Sequence, residues 1–261
     1  MSKKIVYLIS GANRGIGYGL ALAIAARPNT IVFAGARNPA AQTLTDLAAK
    51  YPNVHPIKLT SADKPDNEAA IAQIGKIAGQ LDVIIASAGS LHLPPYRIPS
   101  RPARDDALPA FHEHFEVNTL GPVVLFQAAH TLLLASPTGA PVFAVISSII
   151  SSMGRFLSIS ATPYGMSKAA VNFLVKTLDA EHPSLVTMAI EPGWVATDMG
   201  NVGAAANGLG LSQAPVTIEE SVTGIMSRID GATKEKSSGK FWNFRVGQGK
   251  PWEFDAEEIP W

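Results

Sequence analysis

The chain has 261 residues, 47% of them hydrophobic and 16% charged, and this composition excludes a disordered protein because it supports a packed core. Its 21 basic and 21 acidic residues give a formal net charge of +0, which argues against a nucleic acid partner, since such proteins carry a basic surplus. The sequence contains no cysteine, so disulfides and cysteine nucleophiles are excluded.

The first predicted strand, Lys4–Ile9, is a short apolar run that ends in a glycine-rich turn. It is too short for the apolar region of a signal peptide or for a membrane span. We therefore expect a cytoplasmic protein with no membrane partner.

Runs of β-branched residues alternate with helical patterns rich in Ala and Leu over most of the chain. The further predicted strands are Ile31–Gly35, Val54–Leu59, Val83–Ser87, Val142–Ser147 and Val186–Ile190. The predicted helices are Gly17–Ala26, Thr43–Lys50, Asn67–Ala78, Ala110–Leu134 and Tyr164–Ala180. This alternation indicates βαβ units, and hence one α/β domain over residues 1–261 with a doubly wound parallel sheet and helices on both faces.

Two segments interrupt the alternation. Ser90–Pro109 contains prolines that oppose a helix or a central strand, and Gly200–Pro215 is rich in Gly, Ala, Asn and Ser. Both follow strand ends, where ligands bind in open α/β sheets. We predict substrate-binding loops near residues 90–110 and 199–216, the alternative being surface loops without a function.

A glycine-rich turn follows the first strand, and it reads Ser10-Gly11-Ala12-Asn13-Arg14-Gly15-Ile16-Gly17. Small residues let the backbone approach a pyrophosphate, and the next helix offers free N–H groups to its charge. The turn therefore predicts a dinucleotide-binding site. Arg37, after the second strand, and Arg14 are candidate partners for a 2′-phosphate. Positions 35 and 36 are Gly and Ala, so neither offers a carboxylate to hydrogen-bond a free ribose hydroxyl. The cofactor is therefore predicted to be NADPH.

Tyr164 and Lys168 lie four residues apart, on one face of a predicted helix. A nearby cation lowers the pKa of a phenol, so we expect Tyr164 to act as a general acid towards a carbonyl oxygen. Ser148, after the strand at 142–147, is the preferred donor to that oxygen, with Ser147, Ser151 and Ser152 as competitors. His112 and His114 do not share a helix face, and no metal site is expected.

With these motifs the chain resembles the short-chain dehydrogenase/reductase family from the first strand to about Met199. The resemblance implies a Rossmann-like fold with a seven-stranded parallel sheet and a glycine turn at Gly11, Gly15 and Gly17. It implies catalytic Ser148, Tyr164 and Lys168, with Asn118 as a structural and proton-relay residue. The cofactor residues that it implies are Asn13, Ile16, Ala88, Gly89, Pro192, Gly193, Val195 and Thr197.

The chain departs from the family pattern at three places. Ala86-Ser87-Ala88-Gly89 stands where the family has Asn-Asn-Ala-Gly, and Leu59-Thr60-Ser61 lacks the usual Asp beside the adenine. The family's shorter spacing from Ser to Tyr leads to Ser151, which is the reserve candidate for the catalytic serine.

The chain also resembles the sniffer-like carbonyl reductases and the norsolorinic-acid-type ketoreductases in residues 11–15, 192–199 and 258–261. This resemblance implies an NADPH-dependent carbonyl reductase that acts on a bulky or aromatic ketone, and a homo-oligomer, either a dimer or a tetramer. The alternatives are an NAD-dependent alcohol dehydrogenase and a regulator that binds the dinucleotide without catalysis.

Overall fold

Seven parallel strands form one sheet in the computed structural model, which describes residues 4–91, 107–159, 161–206, 211–245 and 258–261. The spatial order of the strands is β3-β2-β1-β4-β5-β6-β7. Their bounds are β1 Ile5–Ser10, β2 Thr30–Ala36, β3 Val54–Lys58, β4 Val83–Ala86, β5 Val142–Ile146, β6 Val186–Glu191 and β7 Lys240–Asn243. The Rossmann-like α/β fold is confirmed.

Helices connect the strands and cover both faces of the sheet. They are α1 Gly15–Ala25, α2 Gln42–Lys50, α3 Lys64–Ala78, α4 Ala107–Phe115, α5 Gly121–Leu134, α6 Thr162–Glu181, α7 Asp198–Ala206, α8 Ile218–Asp230 and α9 Lys234–Ser237. A π-helical turn, Glu116–Leu120, joins α4 to α5, and a 3-10 turn, Ile149–Ser151, follows β5. Two apolar clusters, one on each face, bury the strands.

Two expectations need correction, and a third cannot be compared with the structure. The predicted helix Ala110–Leu134 begins earlier, at Ala107, and is divided by the π turn, so Pro109 lies in a first helical turn, where proline is tolerated. The predicted loop near 199–216 begins as helix α7, because its alanines favour a helix. Most of the other predicted loop, residues 92–106, lies outside the described residues.

The helical run Leu108–Leu134 is apolar and long enough, by composition alone, to cross a membrane. In this fold it contributes buried residues to the core below the sheet, including Leu125, Phe126, Ala129 and Leu133. Core helices commonly have such a composition, so the run is weak evidence for a span.

The chain reverses its direction of strand addition between β1 and β4, which are neighbours in the sheet. Ligands of open α/β sheets bind outside the carboxyl ends of the strands at such a switch point. The turns after β1, β4, β5 and β6 all lie at that edge, and they carry the predicted site residues.

Candidate active site

The glycine turn after β1 is held by close backbone contacts. Gly11 has φ +68°, and a Cβ built on it would lie 2.8 Å from the Cα of Ala88 in the turn after β4. A Cβ on Gly17 would lie 2.2 Å from the carbonyl oxygen of Gly11. Both distances are shorter than real Cβ contacts, so glycine is required at both positions. The turns after β1 and β4 therefore lie in direct contact.

Helix α1 begins at Gly15 directly behind this turn. Its N-cap residue, Arg14, makes no capping hydrogen bond through its side chain, and no acidic residue lies in the first helical turn. Free N–H groups and partial positive charge at a helix start suit a phosphate. Asn13 and Ile16 flank the turn and are partly exposed. These residues fit the pyrophosphate of a dinucleotide.

A shallow cavity lies beside the glycine turn. It is lined by Ser10, Leu59, Thr60, Ser61, Ala88 and Gly121, among others. Thr60 and Ser61 stand where the family has its adenine-contacting Asp, so their hydroxyls replace a carboxylate in this cavity. Its lining comes from the ends of β1, β3 and β4 and from the start of α5.

Arg37 follows β2 and its side chain is exposed. Arg14 is exposed as well, and its guanidinium lies 3.5 Å from the carboxylate of Asp198. The Thr43 hydroxyl donates a 2.8 Å hydrogen bond to the Asn13 carbonyl, which ties the start of α2 to the glycine turn. Both arginines are thus exposed at the edge of the sheet that carries the glycine turn, and Arg14 has a competing anionic partner.

Ser148 and Tyr164 are brought together from two elements. Ser148 follows β5 and caps the 3-10 turn through a hydrogen bond from the Ile150 N–H, and Tyr164 lies in the first turn of α6. Both side chains are buried, and the Ser148 side chain acts on the pKa of the Tyr164 phenol. Two hydroxyls converging on one point suit the binding of a carbonyl oxygen.

The pKa of Tyr164 is raised in this structure, whereas the sequence predicts that Lys168 keeps it low. Burial of the phenol raises its pKa, and the negative charge of Glu191 raises it further, against a smaller opposing effect from the Ser148 side chain. Desolvation is the largest of these effects, because a buried phenolate loses its water. The phenol is therefore held in its protonated form, the form needed by a proton donor.

Lys168 lies one turn after Tyr164, with its Nζ 5.8 Å from the centre of the Tyr164 ring. The ammonium is buried and donates a 2.7 Å hydrogen bond to the Ile146 carbonyl at the end of β5. Burial lowers the pKa of Lys168 to about 8, although the Glu191 charge opposes this shift. The shared helix face predicted from the sequence is present.

The competing serines are engaged in a buried network. The Ser151 hydroxyl donates to the Ser148 carbonyl at 2.6 Å and accepts from the Asn172 amide at 2.7 Å. The Ser147 hydroxyl donates to the Asn172 side-chain oxygen at 2.6 Å, and that of Ser152 donates to the Pro260 carbonyl. These bonds tie the three serines to the scaffold, so the geometry favours Ser148 as the residue beside Tyr164.

Asn118 occupies the middle of the π turn and is buried. Its side chain accepts from the Ser90 N–H at 2.8 Å and donates to the Ser90 carbonyl and the Ser167 hydroxyl, both at 3.0 Å. A Cβ on Gly89 would lie 3.4 Å from the Asn118 oxygen and 3.8 Å from Lys168 Nζ. Asn118 thus anchors the turn after β4 close to the buried lysine.

The turn after β6 closes the opposite side of the site. Gly193 has φ +82°, and the Pro192 carbonyl accepts a 2.7 Å hydrogen bond from Ser221. Val195 is buried, and the Thr197 methyl lies 3.2 Å from a Cβ built on Gly15. This contact joins the segment predicted to hold the nicotinamide to the phosphate turn.

Two functional candidates were missed by the sequence analysis. Glu191 is the last residue of β6, one residue beyond the predicted strand. A carboxylate at the end of an apolar strand could have been recognised in the sequence as a candidate site residue. His114 is buried, its Nδ1 contacts the Ala110 carbonyl, and its ring meets that of Tyr164 edge-on at 6.1 Å between centroids. Only the tertiary fold reveals this second contact.

A sequence model described as short chain dehydrogenase matches residues 5–223. The chain belongs to the short-chain dehydrogenase family. Members of this family bind a nicotinamide dinucleotide, and the relatives of this short-chain dehydrogenase include ketoreductases, so it is an oxidoreductase that acts on carbonyl or hydroxyl groups.

Two curated relatives of this short-chain dehydrogenase are norsolorinic acid ketoreductases. The protein from Dothistroma septosporum is 36% identical over 96% of this chain and 94% of its own length. The protein from Aspergillus parasiticus is 37% identical over 96% of this chain and 92% of its own length.

Solved carbonyl reductases share the fold of this short-chain dehydrogenase. The NADPH-bound carbonyl reductase from chicken fatty liver is 30% identical, with a TM-score of 0.79 over 93% of this chain and 97% of that one. The carbonyl reductase Sniffer of D. melanogaster, at 24% identity, superposes with a TM-score of 0.82 over 100% of both chains.

Proposed function

We propose that the protein is an NADPH-dependent carbonyl reductase that converts a ketone or aldehyde to an alcohol. The observation that carries this proposal is the pairing of two buried hydroxyls, Ser148 and Tyr164, with the Lys168 ammonium one helical turn away from Tyr164. This group lies at the same edge of the sheet as the glycine turn. A general acid and a dinucleotide site in one cleft suit carbonyl reduction.

Both hydroxyls bind the substrate, and Tyr164 also transfers a proton to it. Ser148 and Tyr164 donate hydrogen bonds to the substrate carbonyl oxygen and so stabilise the negative charge that develops on it. The hydride for the carbonyl carbon would come from NADPH when it is bound. Tyr164 then transfers its phenolic proton to the oxygen, which yields the alcohol and a phenolate on the enzyme. The raised pKa of Tyr164 supports this direction, because the phenol stays protonated until it reacts.

Lys168 and Asn118 restore the catalytic acid. The ammonium of Lys168 stabilises the phenolate formed on Tyr164, and its lowered pKa, about 8, makes it an effective proton carrier near neutral pH. Asn118 holds the turn at Ser90 against this lysine and supports a water relay to it. Tyr164 would thus regain its proton from solvent, through the water relay and Lys168.

The choice of NADPH rests on charge at the end of β2. Gly35 and Ala36 provide no carboxylate for a free ribose hydroxyl, and Arg37 offers an exposed guanidinium for a 2′-phosphate. Arg14 is the second candidate, although Asp198 competes for it. The carbonyl reductase from chicken fatty liver was solved with NADPH bound, which favours the same cofactor here.

The substrate class proposed is a bulky or aromatic ketone. The support comes from the two norsolorinic acid ketoreductases, which align with almost the whole chain.

We further propose a cytoplasmic homo-oligomer with one domain per chain. Met166 and Phe173 lie two turns apart on α6 and are 48% and 75% exposed, and such an apolar stripe suits a subunit interface.

The decisive experiment follows NADPH consumption with a panel of aromatic and aliphatic ketones. We expect turnover by the wild-type protein and near-complete loss in Tyr164→Phe, with NADPH binding retained. Tyr51→Phe is the matched control, because Tyr51 lies just before the amino end of β3, where its ring contacts Lys50. The cleft lies at the opposite edge of the sheet, at the carboxyl ends of the strands. Equal activity in Tyr164→Phe would refute the assignment.

Two other outcomes would replace the proposal. Turnover of alcohols with NAD and tighter binding of NADH would indicate an NAD-dependent alcohol dehydrogenase. Binding of NADPH without oxidation by any carbonyl compound would indicate a dinucleotide-binding regulator.

A further inference from the structure

Glu191 is a buried carboxylate at the end of β6 that the proposed mechanism does not use. It is 7% exposed. One carboxylate oxygen accepts a hydrogen bond from the Ile149 N–H, directly after Ser148. The other accepts from the Gly193 N–H at 2.9 Å. A single side chain thus joins the turn that presents Ser148 to the turn that begins the predicted nicotinamide segment.

A buried carboxylate is costly unless it is compensated by hydrogen bonds or charge. Glu191 lies between the turn that presents Ser148 and the turn that begins the predicted nicotinamide segment, so we expect it to have a role in the active site. We propose that Glu191 is a positioning residue, which fixes Ser148 against Tyr164 and acts through its charge on the Tyr164–Lys168 pair. This inference rests on the proposed carbonyl reductase function.

The charges around Glu191 come from one helix. Lys168 and Tyr164 of α6 are the titratable groups that interact with it electrostatically. The turn after β5 offers it serine hydroxyls and backbone groups, and β7 places neutral Asn243 beside it in register. His114 of α4 lies against the Tyr164 ring and is retained in every variant below.

The electrostatic effect has a definite sign. A carboxylate near Tyr164 and Lys168 raises the pKa of both groups, because it disfavours the phenolate and favours the ammonium. Burial in turn raises the pKa of Glu191 to about 7. Glu191 and Lys168 therefore change charge near neutral pH, and removal of the carboxylate makes the Tyr164 phenol more acidic.

Two variants separate charge from position. Glu191→Gln removes the charge and leaves one acceptor for two N–H donors, and Glu191→Asp keeps the charge on a shorter side chain. In alcohol oxidation the rate rises with pH as Tyr164 loses its proton. We expect Glu191→Gln to move this rise to lower pH by about one unit. Glu191→Asp should keep the wild-type profile and lower kcat.

Asp82→Asn is the matched control. Asp82 is also a buried carboxylate that accepts a backbone bond, from the Val6 N–H at 2.8 Å, but it lies at the opposite edge of the sheet. A purely structural role for Glu191 would make Glu191→Gln behave like Asp82→Asn, with lower thermal stability and an unchanged pH profile. That result would overturn the proposal.

A second measurement does not depend on turnover. Hydrogen exchange at the Ile149 and Gly193 amides should be faster in Glu191→Gln than in the wild-type protein, and Asp82→Asn should leave both amides protected. Unchanged exchange at both amides would also overturn the proposal. If the wild-type protein reduces no carbonyl compound while these amides still respond, the proposed function fails and the positional link through Glu191 stands.

Discussion

Gly17 lies against Gly11, with only 2.2 Å between a Cβ built on Gly17 and the carbonyl oxygen of Gly11. The two residues belong to different structures, the first turn of α1 and the loop before it. Their contact sets the distance between the helix start and the end of β1, and so the shape of the phosphate turn.

Gly17→Ala should weaken NADPH binding by about 10- to 100-fold, because the methyl group must displace backbone at an overpacked position. The control is Gly75→Ala in α3, where a new methyl meets nothing within 4 Å. It should keep NADPH affinity and stabilise the helix by about 0.5–1 kcal/mol. Isothermal titration and thermal unfolding measure both effects, and equal affinity in the two variants would contradict the tight contact.

Ser148→Ala should lower kcat about 100-fold, since it removes one of two donors to the developing oxyanion. Ser151→Ala breaks bonds to the Ser148 carbonyl and to Asn172 instead, so it should cost about 1 kcal/mol of stability and less activity. Steady-state kinetics paired with urea unfolding distinguishes the two. Reversal of the pattern would make Ser151 the catalytic serine.

Arg37→Ala should weaken NADPH binding about 10- to 100-fold and leave NADH binding nearly unchanged, because the lost interaction is a charged hydrogen bond to the 2′-phosphate. Arg14→Ala provides the comparison, with a smaller loss expected since Asp198 already pairs with that guanidinium. Fluorescence titration with both cofactors is the measurement. Equal losses for NADPH and NADH would remove Arg37 from this role.

The stability of the wild-type protein should decrease as pH rises from about 4.5 to about 7. In this window the folded state keeps the Glu191 proton, because its pKa is raised from 4.5 to about 7, and the unfolded state has released it. Unfolding therefore releases a proton and is favoured by higher pH. Glu191→Gln lacks this term, so its Tm should fall less than the wild-type Tm between pH 5 and pH 7.5 in calorimetric scans. Parallel Tm profiles would show that Glu191 titrates normally.

The central strands were predictable because their Val and Ile runs are buried on both faces of a parallel sheet. Tyr164 and Lys168 were predictable as neighbours, since four residues make one helical turn. The raised pKa of Tyr164 was not, because it depends on burial and on Glu191, which comes from another strand.

Other misses had local causes. Strand β7 is only four residues long and follows a polar segment, so its sequence gives little β signal of its own. Helix α8 carries a readable start, a capping box in which Thr217 and Glu220 exchange hydrogen bonds. That pattern was present in the sequence and was overlooked.

The π turn at Asn118 makes the length of its connection critical. A π turn holds one more residue than the α-helical turn it replaces. Deletion of one residue between α4 and α5 would let the helix become regular, and the widened turn that places the Asn118 side chain would be lost. Asn118 would then lose its hydrogen bonds to Ser90 and Ser167. We therefore expect activity to survive many single substitutions in this helix better than it survives the deletion of one residue.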